Sequence, residues 1–582
     1  MATVNHKKTI RAAEVTAFGG IDASAPCGDG GIAVDLKNFK VLPDGSLCRR
    51  SGFTVLDTLD GAVRGAAVFR DVDGTFLLAA ADACVYRIAM ADGSAESEEI
   101  LSTSEGTVTF FSHDGEIYLV DGDELYHYLG RGASFEVCRG YVPLYGKNWN
   151  SESASNAVNE PINLASDKVR FHYVSGTMFT TLRFGIRLAS VDKVVEGDVE
   201  RTYERTLSAD GTSLTFTSGF RSTKPITIYA TVHPSYYHDA ILRASHGVAH
   251  YDAFSGSRVM LYGGGDGARL FTSRPVDAAS LAEAREEAPN ATTLYFPKGG
   301  DMTLDNRQAI NAVCRVGDRM MICTEGETWI TEEMTAVAAE QTVLPTRSLA
   351  RSIGCSAFGG LAVAGGDVPF TVSASGIYRW RIDPQLDHSC SLTRISDAIA
   401  PLLPQDAFAR LRLCYVRSED TLWVFCPEDT EGRVFLYDCT ASRWYSYVGI
   451  GAKVLLEADG RVGFAADNAL CFFEDGRSTD LCAFGEREIV ATYESRRVDL
   501  GDAEATKRAL RVCAEAMLGG ELAVGLYDKT LLDEVTFEGG DGTACGYSAR
   551  VAPRRFKRLT ITLRAAGQVP CRILGLCVHV AK

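Results

Sequence analysis

The sequence predicts a mainly β protein: a β-propeller interrupted by an inserted β-sandwich, with a C-terminal β-sandwich. Three observations predict it. From Phe53 onward, short apolar runs with period-two alternation are separated by Asp-Gly or Gly-Asp turns. The unit recurs at a spacing of about 40 residues, as propeller blades do, because one blade cannot bury both faces without its neighbours. Between Leu129 and Ala312 that rhythm is lost, and a different strand pattern replaces it.

Residues 1–35 are rich in small residues and weak in periodicity, and are expected to form an extended N-terminal arm. Residues 38–53 follow, with two apolar runs around Pro43-Asp44-Gly45. Proline presets φ and glycine accepts positive φ, so the chain should reverse there as a tight hairpin. Arg49 and Arg50 lie on its return strand, and Gly52 is expected to permit a second bend before Phe53. Residues 36–140 are assigned to the first part of the propeller. Its repeats are three-strand sets, Val63 to Arg70, Thr75 to Ala81 and Cys84 to Ala89, then Thr107 to Ser112, Glu116 to Val120 and Glu124 to Leu129.

Residues 140–160 are polar and rich in Asn, Ser and Gly, as in a linker. Residues 150–240 are assigned to the inserted sandwich, a small antiparallel one. Val169 to Val174, Phe179 to Leu188, Leu214 to Thr217 and Ile226 to Val232 supply its alternating strands. The second part of the propeller is placed at 241–484, with one of the few credible helices, an Ala/Glu-rich surface stretch, at Ala278 to Glu287. Residues 485–582 carry about seven strands without the blade rhythm and are assigned to the C-terminal sandwich.

Composition narrows the function. The net charge of −16 argues against a nucleic-acid-binding surface, which needs clustered Lys and Arg. An acidic wall is nevertheless what a conduit for DNA requires if nothing is to adhere. The 17 cysteines lack a C-x-x-C pair or metal-type spacing and read as reduced, so the chain is expected to fold in a reducing cytoplasm. No run approaches the roughly 20 apolar residues of a membrane span.

The hairpin Asn38-Phe39-Lys40-Val41-Leu42-Pro43-Asp44-Gly45-Ser46-Leu47-Cys48-Arg49-Arg50-Ser51-Gly52-Phe53, preceded by Phe18-Gly19-Gly20-Ile21-Asp22, resembles the opening of the tail nozzle, or tail tubular protein B, family of tailed bacteriophages and prophages. Later stretches resemble that family too: Tyr295-Phe296-Pro297, Ser375 to Trp380, Tyr437-Asp438 with Arg443-Trp444-Tyr445, and Tyr493 to Gly501 followed by Lys507 to Leu510. The resemblance implies a structural virion protein without enzymatic activity or cofactor, assembled in the host cytoplasm and resident in the virion tail. It also implies a homo-oligomeric ring, hexameric in the family, that docks to adaptor or tail-tube proteins. Double-stranded DNA would pass through its lumen without specific binding. The motif residues are Asn38, Pro43, Asp44, Gly45, Arg50, Gly52 and Phe53. Two alternatives stay open: a receptor-binding or baseplate tail module, and a carbohydrate-active β-propeller.

Other chemistry is thinly represented. His233, His238, His246 and His250 fall close together, and His246-x-x-x-His250 would put two imidazoles on one helical face. No thiolate or glutamate completes a familiar zinc set, so no metal site is assigned. Asp71-Val72-Asp73-Gly74-Thr75-Phe76 faintly matches a sialidase turn but does not repeat. The loop Gly263 to Gly267 lacks the Lys-Ser/Thr of a nucleotide site, and no catalytic residues are assigned.

Overall fold

A computed structural model describes residues 10–581 apart from 73, 92–93, 105, 131–133, 150–157, 174–177, 203, 222–223, 237–238, 251–256, 266, 334–337, 339, 384–389, 405, 483–484, 501–502 and 541. The protein is mainly β. It divides into two compact units: residues 1–82, 87–98 and 351–582 form the first, and residues 83–86 and 99–350 the second.

Four four-stranded antiparallel arrays of blade type lie wholly or mainly in the first unit. In chain order they are Val63–Asp71, Gly74–Ala81, Cys84–Ala91 and Ser94–Ser102; then Leu361–Ala364, Val368–Ser373, Gly376–Ile382 and Cys390–Arg394; then Arg412–Val416, Thr421–Phe425, Val434–Asp438 and Arg443–Tyr447; and finally Val454–Ala458, Arg461–Ala466 and Ala469–Phe473. The last array is completed by Phe53–Thr58, which pairs antiparallel with Ala469–Phe473. First strands face first strands: Leu361–Ala364 lies against Arg412–Val416, that strand against Val454–Ala458, and the latter against Val63–Asp71. This is blade packing, and it buries Phe370, Trp423, Phe464 and Tyr447 in one continuous apolar cluster. The three-strand repeat expected from sequence is therefore corrected to four. The outer strand has the weakest apolar pattern, and in one blade it comes from some 400 residues upstream.

The same unit holds a sandwich made from both chain ends. One sheet runs Phe39–Val41, Leu47–Arg49, Arg572–Ala581, Lys507–Met517 and Ala544–Arg550, with Ile10–Val15 also on Arg572–Ala581. The facing sheet runs Ile32–Lys37, Ala491–Ser495, Thr560–Gly567, Gly520–Tyr527 and Leu531–Glu538. Through Gly20–Ile21 it is continuous with Arg443–Tyr447 of a blade. The segment read as an arm at 1–35 thus contributes strands to this sandwich. The hairpin placed in the propeller at 36–140 does the same. The hairpin's own pairing is local, but the strands that seat both segments in the sandwich lie more than 400 residues away, so neither placement could be read locally.

The second unit contains three more blade-type sheets among the described residues. They are Thr109–His113 to Phe135–Val137, His246–His250 to Asp301–Thr303, and Ile310–Val316 to Thr346–Ala350. Its inserted sandwich sets a five-stranded sheet (Leu144–Trp149, Lys168–Tyr173, Ile226–Val232, Leu188–Glu196, Val199–Glu200) on a three-stranded one (Met178–Arg183, Ser213–Arg221, Arg205–Leu207). Phe171, Phe184, Val194 and Ile228 fill the space between them. Two sequence readings change here. The stretch Leu144–Trp149, read as linker, is a strand anchored by Trp149, whose Nε1 donates to the Arg183 carbonyl at 2.9 Å. It also pairs in parallel with Lys168–Tyr173, so the sandwich is not wholly antiparallel. The helix Ala278–Glu287 forms where expected. Its N-cap carboxylate, Asp277, accepts the Ser280 N–H, and Ala284 is buried beside Tyr141 and Tyr295.

Two imidazoles in this unit are buried, His113 and His127, and neither Nδ1 has a hydrogen-bond partner. Burial lowers both pKa values, outweighing the nearby Asp114, Glu116 and Glu136 carboxylates. Below the ordinary imidazole value of about 6.5 the unfolded chain takes up protons that the folded histidines refuse. The stabilisation is thus complete above that pH and shrinks as pH falls, until the folded-state imidazoles themselves protonate. Calorimetric scans from pH 7.5 to 5 should show the unfolding midpoint falling below pH 6.5, with a flatter dependence for His113→Gln/His127→Gln.

Candidate functional site: the hairpin junction

The predicted hairpin exists, with Phe39 opposite Arg49, Lys40 opposite Cys48 and Val41 opposite Leu47. Its turn closes through Gly45 N–H to Leu42 O at 2.9 Å and Leu42 N–H to Ser46 O at 2.9 Å. Asp44 accepts from the Ser46 hydroxyl at 2.6 Å and from its N–H at 3.1 Å. These bonds, then the Arg572 ion pair, hold the Asp44 carboxyl below the usual range. Gly45 has φ +80°, and a Cβ there would come within 2.8 Å of the Ala17 Cβ, so the position needs glycine on two counts. Pro43 and Asp44 sit exposed at the tip, while Phe39 and Leu47 are fully buried.

At the base of the hairpin lies a buried ionic junction. Arg50 donates bidentately to Asp480, Nη1 to Oδ1 and Nη2 to Oδ2, both at 2.7 Å. Each side chain is 1% exposed. Arg50 Nε donates to Asn38 Oδ1 at 2.9 Å, and the guanidinium lies about 6 Å from the ring centres of Phe53, Tyr447 and Phe473. Asn38 adopts φ +59°, a left-handed conformation that asparagine tolerates better than most residues. Its Oδ1 also accepts the Val448 N–H at 2.9 Å, and its Nδ2 donates to the Val490 carbonyl at 2.9 Å. One side chain thereby ties the end of a blade strand to the start of a sandwich strand.

Arg49 reaches the carbonyls of Ile489 at 3.3 Å and Val569 at 2.5 Å. Arg487 adds a 3.0 Å contact to Asp480 from the paired strand. Gly52 differs from its sequence reading. It has no positive φ, and the constraint is space, since a Cβ would lie 1.9 Å from the Thr479 carbonyl oxygen. Phe53 packs edge-on against Phe464 with centroids 4.9 Å apart.

The seven motif residues thus fall in two places. Asn38, Arg50, Gly52 and Phe53 surround Asp480, whereas Pro43, Asp44 and Gly45 cap the turn against Ala17 and Arg572. Sequence reasoning missed Asp480, Arg487 and Tyr447. The only local sign was an aspartate between Thr479 and Leu481 in a strand-like run. A cleft of about 360 Å³ opens over the junction, lined also by Lys37, Glu431 and Glu488. Its floor is occupied by the paired Arg50, Asp480 and Arg487.

The two candidate histidines whose side chains are described, His233 and His246, have separate partners. His238 lies outside the described residues, as does the side chain of His250. His233 bonds Ser235 Oγ at 2.9 Å, and His246 stacks on Tyr262. His246–His250 is a strand, not a helix, so positions four apart share a face but stand about 13 Å apart along it. Among the described residues no group of three His, Cys, Asp or Glu is placed to hold a metal. None of the 17 cysteines is in a disulfide, and burial pushes the pKa of Cys414 up to about 12. No described helix is long and apolar enough to cross a membrane.

By fold and site, the chain is a mainly β protein of blade-type sheets and two sandwiches. No family model and no curated protein matches it. Among solved structures it is similar to virginiamycin B lyase from Staphylococcus aureus (9% identity, 72% of this chain and 97% of that one, TM-score 0.36). It is also similar to an extracellular domain assigned to a hybrid two-component system of B. thetaiotaomicron (9%, 92% and 62%, TM-score 0.38). A third is PorZ, a surface component of the type-IX secretion system of Porphyromonas gingivalis (12%, 92% and 86%, TM-score 0.27). Scores and identities this low transfer neither residue roles nor activity.

Removing the Arg50 guanidinium strands a buried carboxylate, which costs about 3–5 kcal/mol. Arg50→Ala should lower the denaturation midpoint of the first unit accordingly, with Arg50→Lys recovering little because it lacks the planar fork. Gly52→Ala should also destabilise, by displacing Thr479. Chemical denaturation followed by tryptophan fluorescence measures all three.

Proposed function

We propose that this chain is a structural, non-catalytic subunit of a bacteriophage tail. In this reading it is a nozzle-like member of a homo-oligomeric ring that docks on adaptor or tail-tube proteins and encloses the DNA-exit channel. One observation carries the reading. The residues through which the sequence resembles the nozzle family, Asn38, Arg50, Gly52 and Phe53, form the buried junction that fastens a blade to the terminal sandwich. A body that must transmit load between domains is well served by such a joint. The net charge of −16 suits a lumen that DNA crosses without adhering. Ring order and the tail location come from the resemblance alone.

A second reading, a carbohydrate-active propeller, draws on the blade-type sheets, a scaffold that unrelated functions share.

Electron microscopy and light scattering of the purified protein, alone and with a cognate adaptor, test the first reading. Rings are expected, and a monomer under every assembly condition would overturn it. A hydrolysis and lyase screen on sialosides and cell-wall glycans should give no turnover. Turnover abolished by a single carboxylate substitution would establish the second reading instead.

A further inference from the structure

An arginine-lined cleft of about 740 Å³ lies in the first unit, between the strands Gly376–Ile382 and Cys390–Arg394 and the hairpin turn that precedes Trp444. Arg379 and Arg381 project to the same side of their strand, because side chains two apart share a face. The register sets Thr393 opposite Arg379 and Ser391 opposite Arg381, so two guanidiniums stand beside two hydroxyls. Arg394 and Arg443 complete the lining.

The charges here are unbalanced. Arg394 Nε holds Asp397 at 2.7 Å, and Arg443 Nε is 3.6 Å from Asp438, buried and without a hydrogen-bond partner. Asp22, the one carboxylate in the lining, is paired with Arg496. Among the described residues no carboxylate forms an ion pair with Arg379 or Arg381. A chain with sixteen excess negative charges has ample means to neutralise an arginine pair, yet these two are left facing a cavity. Arg379 is half-buried and Arg381 exposed, so water screens part of their mutual repulsion, and a bound anion would relieve the remainder.

We propose that this cleft binds a ligand carrying at least two oxyanions, carboxylates or phosphates, whose planar or tetrahedral oxygens match the guanidinium fork. Arg379 and Arg381 are about 6.6 Å apart along the strand, which sets the spacing of the two anionic groups. Thr393 and Ser391 supply hydroxyl donors alongside.

Isothermal titration of the full chain with tripolyphosphate and with citrate, at matched ionic strength, tests the proposal. Saturable binding is expected, weakened tenfold or more in Arg379→Gln/Arg381→Gln, since each charge-assisted bond is worth about one order of magnitude or more. Arg410→Gln/Arg461→Gln removes the same charge outside the cleft and should bind as the parent does. Tighter tripolyphosphate would assign the natural ligand to phosphates, tighter citrate to carboxylates. No saturable binding at millimolar concentration, or equal loss in both double variants, would overturn the site.

Discussion

The first unit is held in register by one buried ion pair, Arg50 on Asp480. Burying two charges is unfavourable unless they are paired and their remaining polar atoms are hydrogen-bonded, and here both carboxylate oxygens and all three guanidinium nitrogens have partners. The carboxylate takes both arms of the guanidinium and the Arg487 contact, and the remaining Nε goes to Asn38. Three aromatic faces line the guanidinium and keep water away. The pair therefore works less as adhesive than as a register pin: Asp480 can reach Arg50 only when the short strand pair after the last blade, the hairpin and Phe53 are all in place.

From that pin the rest of the unit follows. Phe53–Thr58 can close the Val454–Phe473 array only if the hairpin before it is seated in the sandwich, and the hairpin is seated by strands from the far end of the chain. Ile10–Val15 on Arg572–Ala581 and Ile32–Lys37 on Ala491–Ser495 extend the dependence. Such long sequence separations make pairing slow, because loop-closure entropy is lost before contacts form.

Two of the clefts in the first unit contrast in a useful way. Over the junction, opposite charges are matched and the volume is small. Along Gly376–Ile382, guanidiniums outnumber carboxylates and the volume is twice as large. Matched ions fix a structure, whereas unmatched ions of one sign on a concave surface favour a counter-ion.

Much of the local structure was legible in the residues themselves. Thr328–Thr331 and Thr421–Phe425 have the limits that short β-prone runs between polar turns imply, and Ala278–Glu287 follows from its Ala/Glu composition behind a capping aspartate. Pro43-Asp44-Gly45 encodes its turn because φ preferences act within four residues. What tertiary structure alone decided is which strands pair. Leu144–Trp149 looks like linker until Trp149 finds Arg183, Gly52 looks like a bend until Thr479 arrives, and Asp480 looks like any surface aspartate until Arg50 is folded onto it. Those outcomes depend on contacts between residues tens to hundreds of positions apart, and a linear pattern of hydrophobic and polar residues carries no term for them.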